Sequence, residues 1–250
     1  MPRPRRPLRL LSPEPRLSLQ STFLPSPAEL VALRVSLTVA VRALAFTLPL
    51  AVAVAYGLTR RRFPGRLLLD LVSQAPLALP PVVVGFALLL LFGAHGVLGA
   101  PLARLGVRLA FTATGASIAS GVMAFPAMVR QLRLAFEAVD PRLDEAAASL
   151  GARPWDRLVS VTLPLAGPGV IAAALTGFAM AMGEFGAVIT FAADIPGETE
   201  TLPLAIYATL QTPGGEAEAL RLSIMSLVVA GTALVAAEAV MRRLRQRIAP

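Results

Sequence analysis

The 250-residue sequence contains no cysteine, no lysine, one histidine and one tryptophan. Without cysteine there is neither a disulfide framework nor a thiolate metal site, and the redox compartment leaves no mark on the chain. The lone histidine, His95, argues against a histidine-based metal centre or proton relay. Charge is also scarce: 15% of residues are charged against 56% hydrophobic, with a mean hydropathy of +0.70. A soluble domain of this length has more surface to hydrate than so few charges cover, so a bilayer is the better solvent. All 23 cations are arginine, and the net charge is +8. In a soluble protein that excess points to nucleic acid. In a membrane protein it marks cytoplasmic loops. The distribution favours the membrane, and no nucleic-acid partner is expected.

Five apolar stretches, at about residues 30–58, 67–92, 109–129, 165–192 and 220–241, satisfy the need for roughly 20 mostly apolar residues across a roughly 30 Å hydrocarbon core. The expected fold class is therefore an all-α polytopic membrane protein lying in a cell membrane. Arg34 and Arg42 interrupt the first stretch and must snorkel or face a protein or water interior. Arg60, Arg61, Arg62 and Arg66 follow the first stretch, and Arg130, Arg133, Arg142, Arg153 and Arg157 follow the third. Arg242, Arg243, Arg245 and Arg247 follow the fifth, whereas the alternate loops hold only Arg104 and Arg108, then none over residues 193–219. The positive-inside rule puts the first group and the C-terminus in the cytoplasm and the N-terminus outside. Residues 1–27, rich in proline and arginine, read as a disordered tail ahead of a membrane domain at 28–250. The tail's own arginines favour the cytoplasm: either it is translocated despite its charge, or the true start lies further in. It lacks an apolar core long enough for a secretion signal or a further span.

Prolines punctuate the spans. Pro80-Pro81 breaks the second near its middle, and Pro49 and Pro126 are candidate kinks in the first and third. Gly177, Gly183 and Gly186, among many alanines, allow close helix approach in the fourth. Broken helices and small-residue faces recur in transporters, and also in membrane proteins that transport nothing. Pro80, Pro81 and Gly85 are candidates for shaping a pathway, with Glu184 as the intramembrane carboxylate beside it.

One polar stretch stands out, EAAASLGARPWDRLVSVTLP at residues 145–164. Asp140 suits an N-cap, Pro141 the first helical position and Gly151 the position after a helix end. Leu143, Ala146, Ala147 and Leu150 share one face. A second short helix is expected from Pro154, with Trp155, Leu158, Val159 and Thr162 repeating that spacing and Pro164 ending it before the fourth span. The loop at about 133–164 is thus a helical hairpin whose small face fits a partner's groove. Packing on its own membrane domain, or lying in the lipid interface, are the plainer alternatives.

Glu145-Ala146-Ala147, Gly151 and Leu163-Pro164 fall at the spacing of the "EAA" signature, so the chain resembles the permeases of ABC importers; Val161 stands where that pattern has isoleucine. RRFPGR, LPPVVVG, GEFGAVITF, IPGETETLPLAIY and QTPGGE extend the likeness over most of the chain after about residue 28. They resemble the oxyanion branch of the family, the molybdate permeases above all, with sulfate, thiosulfate or tungstate as the alternative cargo. The resemblance implies a type I importer permease fold in which Glu145, Ala146, Ala147 and Gly151, ahead of Leu163-Pro164, form a coupling element. It implies docking on two copies of a cytoplasmic ATP-binding subunit, a second copy of the chain, and an extracytoplasmic oxyanion-binding protein.

The chain has no GxxxxGK[ST] loop, no nucleophile–base pair and no metal cluster, so a non-catalytic subunit without a cofactor is expected. A non-transporting scaffold or channel is the reading from another class. In the importer reading a carboxylate facing an anion route is unhelpful, so Glu184 is expected to pair with an arginine or cap backbone donors. The acidic segment 193–219, with Asp194, Glu198, Glu200, Glu216 and Glu218, reads as a docking face for the binding protein or as an ordinary solvated loop.

Overall fold

The computed structural model describes residues 25–60 and 63–248. Most of the expected basic tail lies outside the described residues, as do Arg61 and Arg62. Within them every regular element is helical.

Helix α1, Pro27–Arg60, begins with a reciprocal cap in which the Ser26 amide donates to Glu29 Oε2 at 2.6 Å and the Glu29 amide donates to Ser26 Oγ at 3.2 Å. This Ser-x-x-Glu box with proline at the first helical position starts the helix at the end of the expected tail. At 34 residues α1 spans about 51 Å, and among the described residues it alone is a single helix long and apolar enough to cross a membrane. Pro49 is accommodated inside it. Arg34 and Arg42 are exposed, away from the buried stripe of Ala32, Val35, Val39, Ala43 and Thr47.

The expected second span, 67–92, is two helices, α2 (Arg66–Ala78) and α3 (Pro81–Phe92), bent by 118°. Adjacent prolines withhold two amides and push the preceding residues out of the α region. Leu79 and Pro80 are accordingly extended, with ψ of 144° and 137°. At about 20 and 18 Å, neither half crosses alone.

After the short α4 (Gly99–Arg104), α5 runs over Ala113–Glu137, capped by Thr112 Oγ1, which accepts from the Gly115 amide at 3.1 Å. It starts and ends later than the expected 109–129, so Arg130 and Arg133 are helical. The hairpin is α6 (Pro141–Ser149) and α7 (Pro154–Leu165), and α8 (Gly167–Gly183) leaves α7 at 83°.

The expected fourth span, 165–192, is likewise divided, into α8 and α9 (Gly186–Ala192). Helix α10 (Leu202–Leu210) lies in a segment read from sequence as outer loop, and α11 is Glu216–Ile248. The α10 segment is drawn inward: the Leu202 amide donates to Ser36 Oγ at 2.6 Å, and Leu202, Leu204 and Ala205 are buried.

The core is the junction of α1, α5 and α8. Lipid chains are as apolar as leucine, so helix association rests on close van der Waals contact rather than on transfer from water. Alanines 51, 55, 124 and 173 supply it, and a Cβ on Gly177 would collide with the Met128 side chain. A second cluster joins α9 to α3 and α5 through Val84, Leu88, Ala187, Val188 and Phe191.

Among the described residues Arg60, Arg133, Arg157 and Arg221 each tie two elements together, and two of them fasten the ends of α1. The Arg60 Nη2 donates to the carbonyls of Phe136 and Val139 at 3.0 and 2.8 Å, satisfying the end of α5, where carbonyls lack helical partners. The Arg221 Nε pairs with Glu29 Oε1 at 2.9 Å, and Glu29 is only 2% exposed. Replacing Arg60 by leucine removes two charge-assisted hydrogen bonds, with an expected cost of about 2–4 kcal/mol. Thermal unfolding of the detergent-solubilised chain measures it, and an unchanged midpoint would mean that water satisfies both carbonyls equally well.

Candidate functional site

The hairpin forms as its residues dictate. Asp140 Oδ1 accepts from the Arg142 amide at 2.9 Å, and Pro141 opens α6. After α6, Gly151 takes φ +85°, a left-handed value that a β-carbon disfavours. The turn leads to Arg153, whose amide donates to Asp156 Oδ2 at 3.1 Å, capping α7.

Helix α7 departs from the expected pattern. Its middle, Leu158–Thr162, is π-helical, with the Leu163 amide reaching back to the Leu158 carbonyl. That wider turn divides the expected face: Leu158 is 3% exposed and Thr162 is buried, whereas Trp155 and Val159 point outward. Nor does Pro164 end the helix. A residue without an amide is tolerated just after a π turn, where the ladder is already shifted, so the helix continues to Leu165.

Leu158 enters the same cluster as Leu132, Phe136, Val139 and Ala166, and Leu163 packs against it. The Tyr56 hydroxyl donates to the Pro154 carbonyl at 3.3 Å, which fixes the start of α7 to α1. Helix α6 has α7 as its principal packing partner. It is locked there by the Arg157 Nη1–Asp144 Oδ2 ion pair at 2.8 Å, with both side chains largely covered. Glu145, Ala146, Gly151 and Pro164 are exposed, Ala147 and Leu163 half-buried, and Leu143 and Leu150 are exposed on α6. The hairpin therefore stands off the membrane domain on an anchored base, rather than packing its small face onto its own chain.

The pathway candidates gather at a second place. Pro80 and Pro81 are exposed at the start of α3, and Gly85 is buried against α9. A β-carbon at Gly85 would lie 2.7 Å from the Ala187 carbonyl, and one at Gly186 would lie 2.7 Å from Pro81 Cβ. Glu184 closes the break between α8 and α9, its Oε1 accepting from the Ala187 amide at 2.8 Å. It caps a backbone donor. Phe185 packs at a tilt against Tyr207 of α10, with ring centroids 5.1 Å apart. The two broken segments thus meet break against break, and the coupling candidates form a separate group at the hairpin.

Sequence reasoning missed the Asp144–Arg157 lock, Arg60 and Leu158 as the anchor. The lock spans thirteen positions across a turn, where no helical spacing signals it.

The acidic segment is more ordered than a solvated loop. The Ile195 carbonyl accepts from the amides of Glu198, Thr199 and Glu200. Buried Thr199 Oγ1 accepts from the Ile195 amide and donates to the Ala193 carbonyl. Burial pushes the Asp194 carboxyl above its ordinary range. Glu200 is pushed up first by burial and then by the negative charges of Asp194 and Glu218. A carboxyl raised in the folded protein contributes stability that is fully present below its unfolded pKa and lost as pH rises through the folded value. Glu200→Gln should therefore raise the unfolding midpoint at about pH 7.5 and lose that advantage at about pH 3.5, below the ordinary glutamate range. Equal gains at both values would show that the charge is not the cause.

Comparison with known proteins places this architecture. Residues 47–250 match the family described as "Binding-protein-dependent transport system inner membrane component". The chain is 47% identical over 217 residues to the molybdenum transport system permease protein ModB of Escherichia coli (strain K12), covering 86% of this chain and 95% of that protein. It is 42% identical over 221 residues to ModB of Haemophilus influenzae, covering 88% and 96%. It is 37% identical over 186 residues to the sulfate transport system permease protein CysT of Escherichia coli (strain K12), covering 74% and 67%. Among solved structures, a bacterial alginate ABC transporter in complex with an alginate-bound periplasmic protein superposes with a TM-score of 0.74 at 18% identity, covering 91% of this chain and 83% of that one. An inward-facing MetNI methionine ABC transporter superposes with a TM-score of 0.66 at 14% identity, covering 91% and 99%. These two show the fold, and the family match together with the 47% identity to a permease establishes that the chain belongs to the inner membrane components of binding-protein-dependent transport systems.

Proposed function

We propose that this chain is the membrane permease subunit of an ATP-driven molybdate importer, coupled to its ATPase through the α6–α7 hairpin. The observation that carries the cargo is identity of 42–47% to molybdenum permeases over nearly the full length of those proteins. The sulfate permease is similar over a shorter part of both chains. Sulfate and molybdate are tetrahedral dianions, so the sulfate branch is the second reading.

What supports the coupling role is mechanical. Glu145, Ala146 and Ala147 sit on a helix that projects from the domain, and the left-handed Gly151 sets the angle of that helix. A small-residue face lets a groove on the ATP-binding subunit approach closely. Force applied to α6 passes through the Asp144–Arg157 pair to α7, then through Leu158 and Leu163 into the junction of α1, α5 and α8. Closure of two ATP-binding subunits then biases the spans between two arrangements, a discrete contact acting on a bistable element.

In this scheme the pathway lies between two copies of the chain related by a two-fold axis. Pro80, Pro81 and Gly85 shape its wall, while Glu184 holds the α8–α9 break and stays turned to backbone. The hairpin and C-terminus face the cytoplasm. Segment 193–219 faces outward, where its carboxylates meet basic patches on an oxyanion-binding protein.

Two measurements test this. In cells lacking their own system, uptake of labelled molybdate by this chain with its ATPase and binding protein should resist excess sulfate and yield to tungstate. Abolition by sulfate moves the chain to the sulfate branch, and no uptake by an assembled complex removes the cargo assignment. Gly151→Val strains the left-handed turn by about 1–2 kcal/mol. It should abolish substrate-stimulated ATP hydrolysis while the chain still inserts and folds, and full stimulation would remove the hairpin from the coupling path.

A further inference from the structure

An open cleft of about 430 Å³ lies between α7 and α1 beside the hairpin base. Its floor is Ala53 and Gly57 of α1, its walls are Tyr56, Trp155 and Leu158, and Arg153 stands at its edge. Trp155, the only tryptophan of the chain, is 68% exposed here. Arg153 is exposed and takes part in none of the ion pairs among the described residues. The carboxylate nearest in sequence, Asp156, is engaged by the Arg153 amide.

Three features identify the occupant. The floor belongs to a helix that crosses the membrane, at the level where its apolar run gives way to Arg60. Exposed Trp155 beside exposed Arg153 at that level has the character of the amphipathic belt that lies among lipid headgroups, while Tyr56 is buried behind them with its hydroxyl on the Pro154 carbonyl. Glycine inside a helix is a standing cost, and a β-carbon at Gly57 would meet nothing within 4 Å. The space that a side chain would take there is part of the cleft.

We infer that this cleft binds an anionic phospholipid, with the phosphate on Arg153 and the glycerol and upper acyl chain over Ala53, Gly57 and the Trp155 ring. The bound lipid wedges between α1 and α7 and so bears on the element that anchors the hairpin. The inference rests on the membrane reading of the chain but not on its cargo.

Trp155 supplies its own probe. The full chain is reconstituted in phosphatidylcholine nanodiscs and titrated with phosphatidylglycerol or phosphatidylcholine brominated high on the acyl chain, with Trp155 fluorescence as the readout. The phosphatidylglycerol probe should quench with about fivefold tighter apparent affinity, the effect of one arginine near an anionic headgroup. Arg153→Gln should bring the two lipids level. Gly57→Leu, whose side chain enters open space, should weaken quenching by both while the helical circular dichroism stays unchanged.

Equal quenching by both lipids in the natural chain, or a preference that survives Arg153→Gln, overturns the proposal. So does loss of quenching when the copurifying ATPase is added, since the cleft would then belong to a protein partner. Failed molybdate uptake with the lipid preference intact would sink the cargo reading alone.

Discussion

The hairpin's position depends on the seating of Leu158. This side chain comes from a segment that is otherwise polar and exposed, yet it enters the cluster formed by Leu132, Phe136, Val139 and Ala166. The π turn around it widens the helix enough to turn Leu158 and Thr162 inward while Trp155 and Val159 face out. A uniform α-helix would carry all four on one face. Without that seat α7 would keep the Leu163 packing, the buried Thr162 and the Tyr56 hydrogen bond as restraints, and α6, which leans on α7, would lose its firmest reference to the spans.

The remainder of the domain is held by proximity. Alanine and glycine at the crossings let α1, α5 and α8 approach until their backbones and side chains interlock, where lipid offers no alternative as dense. The cost is paid in polar atoms at the breaks. Every interruption of a helix inside hydrocarbon exposes amides that need partners. Glu184 at the α8–α9 break and Thr112 ahead of α5 each accept one such amide, and Ser36 accepts the amide of Leu202 at the start of α10.

Much of this was legible in the residues. Asp140-Pro141 and Gly151 mark both ends of α6, and Pro80-Pro81 marks the bend between α2 and α3, because these residues act on their own backbone. The motif spacing around Glu145 carried the family. Ser26-Pro27-Ala28-Glu29 also announces its helix start, and its first two residues fall at the end of the expected tail. What escaped depends on partners distant in sequence. Helix α10 is fixed by a hydroxyl 166 residues away, and Glu29 finds Arg221 192 residues away. Composition fixes neither the angle of a proline break nor the side on which two helices meet. Apolar content predicted the fourth span as continuous, although a glutamate with extended backbone divides it.

The Glu29–Arg221 pair has a mechanical consequence. It joins the first turn of α1 to the first turns of α11, and Tyr56, where α7 attaches, lies about 40 Å further along α1. The pair fixes the starts of α1 and α11 to each other, and the packing of α1 against α5 and α8 along its length makes it one stiff strut between that joint and the foot of α7.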